Sequence, residues 1–213
     1  MNKFFSILLG AFLLVACGTA APESGHDHNH GSKASAELAD GLYAITKVAP
    51  KVTWSAEKLT GGGHQGTLEV SSGKFKVVDG TIQDGVVNFD MTQIAVTDLT
   101  GEEKTSLEGH LRSGDFFNVE THPTAVLTVN GIEGSTMSAI LDMNGVQVDY
   151  SIPVTISQTD VPGDQQGIAV TGKFKLDRTK HNITYRSQTF DDKLDWFIKD
   201  DVAVGFAVMG VPV

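Results

Sequence analysis

Residues 146–157 read VQVDYSIPVTIS, and this run fixes the local backbone more firmly than any other in the chain. Val146, Val148, Tyr150, Ile152, Val154 and Ile156 fall on one side of an extended chain. Gln147, Asp149, Ser151, Pro153, Thr155 and Ser157 fall on the other. Side chains alternate across a strand, whereas a helix would scatter the same residues around its axis. The run therefore defines a strand with one buried face. Pro153 lies on the polar side and removes one ladder donor, so this strand is expected at a sheet edge or at a bulge. The same period recurs twice. Ile168, Val170, Phe174 and Leu176 oppose Thr171, Lys173, Lys175 and Asp177, and Val202, Val204, Phe206 and Val208 form a third apolar row. Its opposite face, Ala203, Gly205, Ala207 and Met209, is small for most of its length and leaves room for close packing.

Further strands are expected over 41–47, 50–59, 65–70, 73–79, 81–92, 124–130 and 135–143. Turn signals separate them at Gly61-Gly62-Gly63, Ser71-Ser72-Gly73, Asp79-Gly80, Asn130-Gly131, Asn144-Gly145 and Pro162-Gly163-Asp164. Gly61, Gly63 and Gly66 match a dinucleotide fingerprint in letters only, because the strand-like Thr67-Leu68-Glu69-Val70 follows where a helix would have to begin. One segment breaks the period. Residues 101–113 suit a short helix, with Glu102 and Glu103 near the start, Arg112 near the end, and Thr100 with Glu103 as a capping box. A second break, 179–199, reads as a long loop carrying Phe190, Trp196 and Phe197. Many short strands with hairpin breaks imply an all-β antiparallel sandwich or barrel. Alternation alone does not separate the two.

The N-terminus carries an address. Lys3 precedes an apolar stretch, 4–15, too short to cross ~30 Å of hydrocarbon and of the length of a signal-peptide core. It ends in Leu14-Val15-Ala16-Cys17, which resembles the lipobox of bacterial lipoproteins. That resemblance implies cleavage before Cys17 and lipid on its sulfur and new N-terminus. The expected organisation is a signal peptide over 1–16, a lipidated Cys17 with a flexible tether over 17–40, and one β domain over 41–213. Gly18, rather than an acidic residue, follows the cysteine. A periplasmic protein anchored to the outer membrane is therefore expected. Since Cys17 is the one cysteine, an intramolecular disulfide, a Cys-based zinc site and a CxxC pair are excluded. The tether contains His26, His28 and His30, which read as part of a solvated linker, with weak metal binding as the alternative. Asp and Glu outnumber Lys and Arg by 26 to 16, for a formal charge of -10, and this argues against nucleic acid as a partner.

Several segments in order resemble the YceI family of lipid- and polyisoprenoid-binding proteins. They are Val52-Thr53-Trp54-Ser55-Ala56, Gly63-His64-Gln65-Gly66-Thr67 and Asp90-Met91-Thr92-Gln93-Ile94, with Gln93 where the family usually has Ser. Leu107-Glu108-Gly109-His110-Leu111-Arg112-Ser113-Gly114-Asp115-Phe116-Phe117 is the most specific piece. Pro123-Thr124-Ala125, then Asp177-Arg178-Thr179 with Ile183, and the last strand over 201–209 complete the set. The resemblance implies an antiparallel lipocalin-like β-barrel with one short helix and a long loop near its ends. It also implies non-enzymatic binding of a long apolar chain, such as a polyisoprenoid or isoprenoid quinone, for storage or transport. No cofactor is implied. A barrel with a filled core, serving as a protein-interaction or stress-response module, is the alternative.

Alternation nominates Trp54, Phe75, Phe89, Tyr150, Ile152 and Phe206 as lumen residues in contact with such a chain. His110, Arg112 and Arg178 are head-group candidates, each with a structural alternative: helix capping or an ion pair to Asp115 or Glu108 for the first two, an ion pair beside Asp177 for the third. Exposed strand edges would permit a homodimer. No nucleophile elbow or paired carboxylates support catalysis.

Overall fold

The alternation becomes a closed ring. The computed structural model describes residues 37–46, 51–163, 165–193 and 195–213, which belong to one compact unit, Ala36–Val213. The strands are β1 (Gly41–Ile45), β2 (Lys51–Glu57), β3 (Gly63–Val78), β4 (Thr81–Val96), β5 (Thr124–Glu133), β6 (Thr136–Met143), β7 (Val146–Val161), β8 (Gln165–Asp177) and β9 (Asp201–Pro212). Helix α1 (Gly101–Arg112) lies between β4 and β5, and a 3-10 turn (Arg178–His181) follows β8. All pairings are antiparallel. The strand order β1-β3-β2-β9-β8-β7-β6-β5-β4 closes through β3–β4 and β1–β9. β1 and β2 both pair β3 on one side and β9 on the other, so they run end to end in one lane. The nine strands of the described residues thus make a barrel of eight staves. Such an interior is just wide enough for side chains or one slender ligand.

Two hairpins fold as their residues dictate. Val78 pairs Thr81 across Asp79-Gly80 (φ 51° and 68°), and Met143 pairs Val146 across Asn144-Gly145 (φ 52° and 75°). Positive φ at both central residues is the type I′ condition. Two other expected turns are corrected. Ser71-Ser72-Gly73 lies within β3 and Asn130-Gly131 within β5, each beside a shift in register. These shifts are bulges, which bend a long strand around a barrel where a turn would end it. The β5–β6 reversal falls at Gly134-Ser135 instead, with Glu133 opposite Thr136.

Pro153 lies at the end of a stretch of β7 that is paired on one side only, within a ring that is otherwise closed, rather than on the edge strand of an open sheet. Pro153 marks a change of partner within β7. From Val146 to Pro153 this strand pairs β6, and from Val154 to Val161 it pairs β8. The missing N–H falls at that switch. Between Val146–Pro153 and the last residues of β8, 173–177, no ladder runs.

The base of the barrel is closed by side chains, with Tyr43, Phe75, Val77, Ile132, Ile152 and Ile168 all buried and Tyr43 stacked on Phe75 at 5.2 Å. At the other end Leu111 of α1 and Ile183 of the loop after β8 pack with Met91, Ile94, Val96 and Leu141. Here α1 substitutes for a strand. β4 pairs β5 only between Gly85 and Asp90. Beyond that, Arg112 donates to the carbonyls of Thr92 and Ile94 at 3.0 and 2.9 Å, and the Val96 amide donates to Glu108 Oε1 at 2.9 Å. The helix begins where expected, but the capping box is corrected. Thr100 has extended N-cap dihedrals and its side chain makes no cap bond. The left-handed Gly101 (φ 58°) turns the chain into the helix.

Candidate functional site

The inward faces of the staves do not meet. They enclose a cavity of about 450 Å³, within the ~300–1,000 Å³ typical of ligand pockets. β2 contributes Val52 and Trp54, β3 Leu68 and Phe75, β4 Val87 and Phe89, β5 Leu127 and Val129, β8 Val170 and Phe174, and β9 Val204 and Phe206. One inward position has no side chain. Gly66 sits opposite Trp54, and a Cβ there would meet the indole ring at 2.5 Å. Trp54, Phe89, Leu127, Val204 and Phe206 are only half-buried although they point inward, as expected of residues facing a void.

Of the lumen residues expected from alternation, Trp54, Phe75, Phe89, Ile152 and Phe206 line the cavity. Phe75 and Ile152 do so from the closed base. Tyr150 is set into the wall instead. It packs edge-on to Phe174 at 5.5 Å, and its hydroxyl lies 3.0 Å from His181 Nε2. His181 Nδ1 lies 3.3 and 3.2 Å from the carbonyls of Met143 and Val146, so it is the donor there. Nε2 must then accept the Tyr150 proton. Burial, reinforced by Asp177, pushes the Tyr150 hydroxyl up to about 12.

The three head-group candidates differ. His110 borders the cavity at the α1 end, edge-on to Phe116 and Tyr185 at 5.0 and 4.9 Å, with Nε2 2.9 Å from Asp115. Arg112 is committed to the β4 carbonyls and to Glu108 at 3.9 Å. Arg178 borders the cavity, but all five of its N–H donors are taken. They reach the carbonyls of Ile183, Tyr185, Ile198 and Lys199 and the carboxylate of Asp200. No donor remains for a ligand, so Arg178 is a clamp on the loop that follows β8.

Other residues complete the α1 end. His64 Nδ1 lies 3.0 Å from Asp98 and borders the cavity. Trp196 borders it from the long loop, with the Arg186 guanidinium 4.3 Å and Lys58 Nζ 5.6 Å from its ring. Sequence reasoning missed Tyr185, Trp196 and Ile198 as lining residues because that loop has no period to assign a face. Leu127 was missed although Ala125, Leu127 and Val129 alternate. Among the described residues, no group of three or more His, Cys, Asp or Glu is placed to hold a metal ion. Cys17, His26, His28 and His30 lie outside the described residues.

Comparison with known proteins agrees with this architecture. The YceI-like domain profile matches residues 43–209. The structure of BcnA from Burkholderia cenocepacia superimposes with a TM-score of 0.62 at 15% identity, covering 78% of this chain and 98% of that one. A polyisoprenoid binding domain from Saccharophagus degradans, implicated in plant cell wall breakdown, superimposes with a TM-score of 0.62 at 16% identity, covering 80% and 98%. Among curated protein sequences, none matches the chain.

Proposed function

The chain belongs to the YceI-like domain family, and on that premise we propose that it binds a long apolar chain, such as a polyisoprenoid or isoprenoid quinone, inside its barrel. The observation that carries this reading is the apolar cavity of about 450 Å³. A protein-interaction module with a filled barrel would have no reason to keep it. An apolar tail exposed to water costs about 25 cal/mol per Å², so a lumen lined by Trp54, Phe89, Leu127, Val204 and Phe206 offers what the tail lacks in solution. In this reading the tail lies toward the base, and its head stays at the α1 end beside His110 and Trp196. The domain acts by holding and handing on its ligand, without chemistry. A signal peptide over 1–16, lipidation at Cys17 and a tether over 17–40 would keep it beside the outer membrane, facing the periplasm.

Native mass spectrometry of the full chain purified from a bacterial host tests the reading. A co-purifying lipid, or uptake of an added polyprenyl alcohol or isoprenoid quinone, is the expected outcome. A protein that carries none and takes up neither refutes it.

A further inference from the structure

A long chain has to get into the lumen, and the staves are not equally joined. At the α1 end, Arg112 and Glu108 take over the ladder of β4, and Arg178 ties four loop carbonyls and Asp200 together. Most of the other staves are laced by backbone bonds. One seam has neither. On the α1 side of the switch at Pro153, β7 and β8 share no ladder; among the described residues the turn after β8 bridges it through side-chain hydrogen bonds alone, from His181 to Tyr150 and to the carbonyls of Met143 and Val146 and from Asn144 to the His181 carbonyl, beside the Tyr150–Phe174 contact. Parting this seam breaks no backbone pairing, which is what makes every laced seam costly to open.

The apex of the seam also lacks an inward side chain on β8. Gly172, the last β8 residue in the β7 ladder, has no side chain. A Cβ there would meet the Phe206 ring at 2.5 Å and the Pro153 carbonyl at 2.9 Å. The Phe206 ring therefore occupies the place of the missing side chain. Outside the same point lies an open groove bordered by Thr53, Pro153, Thr155, Thr171 and Gly205. Phe206 borders both the groove and the lumen cavity. The small outward face of β9 leaves this groove uncovered.

We propose that the β7–β8 seam is a lateral portal through which an apolar chain enters and leaves the lumen, with Phe206 as its plug and the hydrogen bonds of His181 as its latch. The proposal rests on the lumen being the binding site. A chain sliding in sideways need not thread past α1 and the loop held by Arg178.

The test uses the full chain carrying Cys17→Ser, with Ser151→Cys and Lys175→Cys introduced. Both positions are exposed, and they would face each other had the ladder continued. A reducible thiol cross-linker staples the seam, and uptake and release of a fluorescent polyprenyl alcohol are followed in time. The staple should slow both rates about tenfold or more, leave the equilibrium affinity unchanged, and lose its effect on reduction. Phe206→Ala should speed both. Unchanged rates in the stapled and Phe206→Ala proteins, with the unstapled protein still loading, overturn the portal. An unstapled protein that never takes up the probe overturns the binding reading itself.

Discussion

Arg178 shows how much of this structure turns on single side chains. The loop over 182–200 has no periodic apolar face to hold it, yet it covers one end of the barrel. A buried guanidinium holds it, with five planar donors matched to carbonyls spread along the loop and to Asp200. Breaking a buried charge network by removing one partner costs about 3–5 kcal/mol, because the other partners stay behind unpaired. Arg178→Ala is therefore expected to lower Tm by roughly 10 °C, since a domain of this size loses ~2–4 °C per kcal/mol. Arg178→Lys should rescue little, because three donors on a point charge cannot reach the same set. Thermal unfolding decides; a Tm for Arg178→Ala within a degree or two of the parent's would sink the clamp. In the sequence, Asp177 beside Arg178 suggests an ion pair. In the structure Asp177 caps the 3-10 turn by accepting from the Thr179 amide and hydroxyl, and the carboxylate paired with Arg178 is Asp200. A partner 22 residues away across an aperiodic loop leaves no local signal.

At the scale of elements, alternation was a sufficient guide to which residues form strands. It was a poor guide to where strands end. Ser71-Ser72-Gly73 and Asn130-Gly131 carry turn residues because a bulge demands the same backbone freedom as a turn. Only the position of the neighbouring strand tells them apart. The seam between β7 and β8 was equally hidden, although Pro153 marked its apex. The seam should respond to pH through the turn that bridges it. Burial holds the His181 ring below its ordinary value near 6.5, against the opposing pull of the Val146 and Met143 carbonyls and of Asp177 and Asp142. The unfolded chain therefore binds this proton at a higher pH than the folded one. Stability contributed here is complete above about pH 6.5 and falls as the pH drops below it. Urea unfolding between pH 7 and 5 should show the midpoint declining, and His181→Gln should flatten part of that decline. An identical slope in the variant would remove His181 from the account.

Over the whole molecule, the notable feature is a core that the fold leaves unfilled. Close packing is the rule in protein interiors, and apolar void costs contacts that the lining atoms would otherwise make. Leu127 packs against all three buried clusters and lines that void. If the void were an accident of a wide barrel, filling it would change nothing but stability. If it is the binding site, filling it separates stability from function. A ligand bound only by the folded state adds about 2.7 kcal/mol at a hundredfold excess over Kd, so a polyprenyl alcohol should raise the parent's Tm by several degrees. Leu127→Trp should leave the unliganded Tm no lower than the parent's, because the larger ring occupies space already apolar and open. The same variant should lose the ligand-induced rise. Paired thermal scans of both proteins, with and without the polyprenyl alcohol, read this directly. A full rise in Leu127→Trp would place the ligand somewhere other than the lumen.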